Sequence, residues 1–113
     1  MDNKLSSIVL QLAKTLLRNP DIPPSSEAGH AALLFVHVAW NKSLGDNTPF
    51  NKYRIMLAVL EKDNPSLWNE FIETDHQLII TKLMAAKRSL FPTDNRLIIF
   101  CGTRDGNVRV EWS

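Results

Sequence analysis

The stretch Ala31 to Trp40, AALLFVHVAW, is apolar at every position except His37. A helix that is apolar all round is normally buried on all sides rather than along a single stripe. The stretch is too short to span a membrane, which requires about twenty apolar residues. We therefore predict a central buried helix at about 26–43, capped at its N-terminus by Ser25 or Ser26.

Four other segments show apolar residues at three- and four-residue spacing. They predict helices at about 4–18, 49–62, 65–73 and 75–90. Pro20 ends the first of these, whereas Pro49 and Pro65 each open a helix at a position that needs no N–H. Thr74 and Gln77 have the spacing of a capping box for the last helix. A single kinked helix over the last two segments is an alternative.

Towards the C-terminus the apolar pattern changes from helical spacing to alternation, which predicts a β-hairpin at about 96–112. Asp105-Gly106 is a favoured two-residue turn, because both residues tolerate positive φ. With this turn Cys101 lies opposite Val110, on the face that is expected to pack on the helices.

Alternation also assigns the other side chains of the hairpin. It places Ile99 on the inner face with Cys101. The outer face is expected to carry Ile98, Phe100, Arg109 and Glu111. Two apolar side chains and a strand edge are therefore expected to face solvent.

Together these elements predict an α+β fold that is predominantly helical. About five helices surround the central apolar helix and a hairpin follows, in a single globular domain, 1–113. The 13 basic and 12 acidic side chains give a net charge of +1, unlike the basic excess of most nucleic-acid-binding domains. Cys101 is the only cysteine, and the N-terminus lacks the apolar core of a signal peptide, so we expect a cytoplasmic protein.

The exposed hairpin favours a non-enzymatic protein–protein interaction or a regulatory role. An isolated hairpin is only marginally stable in water, and its edge or face can join another chain. The expected contact residues are Ile98, Phe100, Arg109 and Glu111, and the expected partner is another protein or a second copy in a homodimer, with no membrane. The competing interpretation is that a helix covers this face and that the charged pair protects the edge.

A nucleic-acid-binding accessory protein is an alternative. Its candidate contacts are Lys82, Lys87 and Arg88 on the last helix and Arg104 on the hairpin. A basic helix beside a β-ribbon can contact a phosphate backbone or enter a major groove. The same lysines are also typical of any solvated helix face.

A small metal-dependent enzyme is a second alternative. The motif Glu-x-x-His occurs twice, as Glu27 with His30 and as Glu73 with His76. Residues three apart lie on one helix face, and di-metal helical bundles use two such pairs. Both pairs lie at expected helix ends, where the same residues occur for capping alone. The sequence contains no nucleophile or phosphate-loop motif, and we expect no cofactor.

His37 and Cys101 are interpreted as structural residues. A lone histidine on an apolar helix is usually neutral and hydrogen-bonded. A cysteine within an apolar strand lacks the activating charge and exposure of a reactive thiol.

Overall fold

The computed structural model describes residues 3–113, including the side chains of residues 5–59 and 62–113. Within that range the elements are α1 (Asn3–Lys14), α2 (Glu27–Ser43), α3 (Thr48–Asp63), a 3₁₀ helix (Pro65–Glu70), α4 (His76–Leu90), β1 (Ile98–Arg104) and β2 (Asn107–Trp112). They confirm the predicted α+β fold, predominantly helical with a C-terminal hairpin.

Helix α2 forms the centre of the fold, as its apolar sequence predicts. Helices α1, α3 and α4 and strand β1 all pack against it, and Phe35 and Trp40 are fully buried there. The hydroxyl of Ser26 caps the helix by accepting a hydrogen bond from the amide of Gly29 at 3.1 Å. Position 29 requires glycine, because a Cβ there would collide with the carbonyl oxygen of Pro23.

The predicted first helix, 4–18, is too long, since α1 ends at residue 14. The chain that follows pairs with the segment after the 3₁₀ helix. Leu17 forms an antiparallel bridge with Phe71, and the amide of Ile72 donates to the carbonyl of Leu16 at 2.9 Å. This long-range pairing takes the backbone groups that a longer helix would need.

The predicted helix at 65–73 is a short 3₁₀ helix followed by extended backbone at Phe71. It is therefore not continuous with α4, and the kinked-helix alternative is wrong. The cap of α4 is Asp75, whose carboxylate accepts a hydrogen bond from the amide of Leu78 at 3.1 Å. The expected cap at Thr74 is wrong by one residue, since the helix is capped by the next residue, Asp75.

The two strands form the predicted antiparallel hairpin. Asp105 and Gly106 make its turn with φ of 53° and 80°, the left-handed conformation that a tight hairpin turn requires. Cys101 pairs with Val110, which confirms the predicted register next to the turn.

The other end of the hairpin departs from simple alternation. Trp112 pairs with Ile98 and Glu111 pairs with Phe100, so Ile99 is an extra residue that forms a β-bulge. An extra residue reverses the alternation beyond it. Ile98 is consequently only 2% exposed, whereas Ile99 is 65% exposed. The expected outer position of Ile98 and the expected inner position of Ile99 are both wrong.

Candidate functional site

Two side chains of α2 hold the bulge of β1 in place. The side-chain oxygen of Asn41 accepts a hydrogen bond from the amide of Ile98 at 2.9 Å, and its nitrogen donates to the carbonyl of Ile98 at 2.8 Å. The same carbonyl lies 3.0 Å from Nε2 of His37. Asn41 thus occupies both backbone groups of Ile98, as a neighbouring strand would, and closes this part of the β1 edge.

The contact with Ile98 also determines which ring nitrogen of neutral His37 carries the hydrogen. Burial lowers the pKa of His37, while the hydrogen bond to Ile98 and the charge of Asp46 oppose that shift. The neutral ring donates through Nε2, so Nδ1 is a buried acceptor with no partner among the described residues. The expected role, a neutral histidine bonded to backbone, agrees with this geometry.

The segment that leads into β1 is fastened separately. The indole N–H of Trp40 donates to the carbonyl of Arg96 at 2.7 Å. The Arg96 guanidinium donates to the carboxylate of Asp94, and this hydrogen bond lowers the pKa of Asp94. Arg96 also lies over the ring of Trp112, 5.1 Å from its centre. These contacts join the end of the hairpin opposite the turn, where β1 begins and β2 ends, to α2.

We use the term outer hairpin face for Ile99, Phe100, Arg109 and Glu111. Phe100 is 43% exposed, and its ring lies across Gly102, where a Cβ would come within 2.9 Å of it. Glu111 is the cross-strand partner of Phe100, and Arg109 is that of Gly102. Their side chains lie 4.0 Å apart and are both exposed. The face therefore combines an apolar centre with one positive and one negative charge. It contains three of the four predicted contact residues, with Ile99 in place of Ile98.

Among the predicted nucleic-acid contacts, Lys87 does not lie on a solvated face. It is 3% exposed, and its ammonium group donates to the carbonyls of Phe91 at 3.2 Å and Asp94 at 2.6 Å. The same group lies 4.8 Å from the centre of the Trp40 ring. Burial lowers the pKa of Lys87, against the opposing charge of Asp94. Lys87 therefore joins α4 to the segment before β1.

The other three candidate cations are exposed, but they do not act as one group with Lys87. Lys82 lies 3.7 Å from the carboxylate of Glu73, which offsets part of its charge. Arg88 and Arg104 are exposed on α4 and at the turn end of β1.

The two Glu-x-x-His pairs are not brought together as metal ligands. In the described part of the chain there is no group of three or more His, Cys, Asp or Glu side chains that could hold a metal ion. Glu27 accepts a hydrogen bond from the side chain of Asn64, and Glu73 accepts from the amides of residues 74 and 75. His30 is exposed, whereas the ring of His76 packs 4.7 Å from that of Trp68.

Cys101 is buried between the hairpin and α2. Its thiol donates to the carbonyl of Leu33 at 3.6 Å, and burial raises its pKa to about 12. A thiol with so high a pKa is not a nucleophile at neutral pH. This agrees with the expected packed thiol.

A second apolar surface was missed by sequence reasoning. Helices α3 and α4 both pack on α2 and leave a cavity of about 510 Å³ between them, which we call the α3–α4 cavity. Its lining residues are Val38, Phe50, Arg54, Ile55, Leu57, Ala58, Val59, Lys62, His76, Gln77 and Ile80. The available signal was the pair Ile55 and Val59, which lie one helical turn apart and outside the apolar stripe formed on α3 by Phe50, Tyr53 and Leu57.

None of the helices in the described residues combines the length and the apolar character needed to cross a bilayer. No protein-family model, curated protein or solved structure matches this chain. The case for a function therefore depends on the outer hairpin face and the α3–α4 cavity.

Proposed function

We propose that the protein is non-enzymatic and acts through protein–protein contact, with the outer hairpin face pairing with a second copy of the chain. The observation that carries the proposal is the exposure of Phe100 and Ile99 on a sheet of only two strands. An apolar centre of this kind is the usual core of a protein interface.

The charges of the face favour a second copy over an unrelated partner. Arg109 and Glu111 lie two residues apart on one strand. A two-fold axis beside Phe100 brings Arg109 of one protomer towards Glu111 of the other, and the reverse. Two-fold interfaces use the same patch on both subunits and must therefore be self-complementary.

The anchor at Ile98 favours packing of the faces over pairing of the β1 edges. Strand addition needs free backbone groups along an edge. Asn41 already occupies the amide and the carbonyl of Ile98 at the start of β1. The outer side chains remain exposed, so a face-to-face arrangement uses what the hairpin leaves accessible.

Light scattering over a range of protein concentrations tests the proposal. We expect a concentration-dependent dimer for the unaltered protein and a monomer for Phe100→Glu. Central aromatic residues often contribute 2 kcal/mol or more to an interface, so the dissociation constant is expected to rise by about thirtyfold or more.

Val59→Glu is the matched control, because Val59 is also apolar and exposed but lies on α3. It is expected to leave the dimer intact. A protein that stays monomeric up to its solubility limit contradicts the proposal, and so does a dimer that Val59→Glu disrupts while Phe100→Glu does not.

A further inference from the structure

The α3–α4 cavity has the size and shape of a small-molecule site. Its volume of about 510 Å³ lies within the range of roughly 300–1,000 Å³ that is typical of ligand pockets. Val38 of α2 and Leu57 of α3 belong to its lining, and Ile80 contributes from α4. A ligand in this position would contact three helices at once.

The apolar side chains of α3 around this cavity extend beyond what the core needs. Leu57 is buried, yet Ile55 is 64% exposed and Val59 lies one turn further along the same side, also exposed. Scattered apolar residues on a surface need no explanation, but these two form one wall of a concave apolar site. An apolar ligand would cover them.

The described charged side chains that line the cavity have a single sign. They are Arg54 and Lys62, and no carboxylate is among the lining residues whose side chains the structure describes. In the described part of the chain neither cation has an ion-pair partner. The two lie eight residues apart on α3, which separates them by about 12 Å along the helix axis. An anionic group would therefore find, near either end of the apolar surface, a cation that has no ion-pair partner among the described side chains.

We propose that the α3–α4 cavity binds a small amphipathic anion, with the chemistry of a free medium-chain carboxylate. The apolar chain lies against Ile55, Val59 and Ile80, and the carboxylate pairs with Arg54 or Lys62. The cavity is separate from the outer hairpin face, so this inference does not depend on the proposed function.

Isothermal titration calorimetry with decanoate tests this inference, with decanol as the neutral ligand of equal chain length. We expect saturable binding of one decanoate per chain and binding of decanol that is weaker by about tenfold, since the alcohol lacks the charge. Raising the salt concentration is expected to weaken the binding of decanoate and to leave the binding of decanol unchanged.

Two variants locate the site. Ala58→Trp fills the cavity from α3 and is expected to weaken the binding of both ligands at least tenfold. Ala85→Trp, at an exposed position of α4 outside the lining, is its control. Arg54→Gln with Lys62→Gln is expected to remove the preference for decanoate over decanol. Both substituted positions are exposed, so the fold is expected to survive.

The inference is overturned if decanoate does not bind, or if Ala58→Trp and Ala85→Trp affect it equally. It is also overturned if the unaltered protein does not bind decanoate but binds vesicles of anionic phospholipid or an acidic amphipathic peptide. Either of those results would assign the cavity to a membrane surface or to a partner helix.

Discussion

The outer hairpin face and the α3–α4 cavity are both exposed apolar surfaces, yet they differ in shape and in charge. The hairpin face is formed by two strands and carries Arg109 and Glu111, one charge of each sign. The cavity is concave and carries Arg54 and Lys62, two charges of the same sign. A face with balanced charge is suited to its own copy, and a cationic cavity is suited to a small anion.

The two surfaces also differ in what builds them. The cavity wall on α3 follows from local sequence, because Ile55 and Val59 lie one turn apart on one helix. The hairpin face depends on Asn41, which reaches Ile98 across 57 positions of the chain. Changes in this distant anchor should therefore affect the hairpin face and leave the cavity intact.

The largest effect is expected from Asn41→Leu. This change removes both hydrogen bonds to Ile98, so that the buried amide loses its partner and the carbonyl keeps only the hydrogen bond from His37. Each such loss costs about 1–3 kcal/mol, so the free energy of unfolding should fall by about 3 kcal/mol in urea denaturation. Dimerisation should weaken, whereas the affinity for decanoate should be unchanged. Asn51→Leu, at an exposed position of α3, is the control, and equal losses for both variants would contradict the anchor.

A smaller loss is expected from Lys87→Met, which keeps the apolar stem but removes the hydrogen bonds to Phe91 and Asp94. The free energy of unfolding should fall by about 2 kcal/mol in urea denaturation, since two partly buried carbonyls lose a charged donor. Lys82→Met, at an exposed position, is expected to have almost no effect. If the two variants are equally stable, Lys87 does not fasten the segment before β1.

The sequence predicted what local patterns control. The apolar stretch of α2 predicted the central helix, and Asp105-Gly106 predicted the turn and the register beside it. The bulge at Ile99 could not be predicted, because alternation carries no signal for an extra residue. What selects it is the contact of Asn41 with Ile98.

Lys87 shows the same limit at a candidate site. A lysine near the end of an amphipathic helix is normally solvated, and no sequence pattern indicates that a later chain segment folds back over Lys87. The structure supplies the carbonyls of Phe91 and Asp94 and the ring of Trp40 as its surroundings. The burial of Lys87 therefore depends on the segment between α4 and β1, whose conformation cannot be inferred from the spacing of apolar residues.

Acidification should weaken the anchor through His37. Because burial lowers the pKa of the folded histidine below its ordinary value of 6.5, the unfolded chain binds more protons in that interval. The stability contributed by neutral His37 is complete above pH 6.5 and is lost as the pH falls from there towards the folded pKa, by up to about 1.4 kcal/mol per pH unit. Asp46 and Lys52 are the charged groups that influence the ring and act in opposite directions.

Urea denaturation at a series of pH values between neutral and mildly acidic measures this slope. His37→Gln retains a side-chain N–H for the carbonyl of Ile98 but does not titrate, so its stability should vary less with pH in this interval. Identical slopes for the two proteins would remove His37 from this role.

The smallest effect is expected at the charged pair of the outer hairpin face, and it sharpens the contrast with the cavity. Arg109→Glu places two negative charges on each face, so that two copies repel, and the dimer should weaken by about 1 kcal/mol, or roughly fivefold in dissociation constant. Glu111→Arg should do the same with positive charges. The double exchange restores one charge of each sign and should restore the dimer, measured by light scattering at low salt. If either single variant dimerises as well as the unaltered protein, the charges do not select the second copy, and the apolar side chains alone would have to hold the interface.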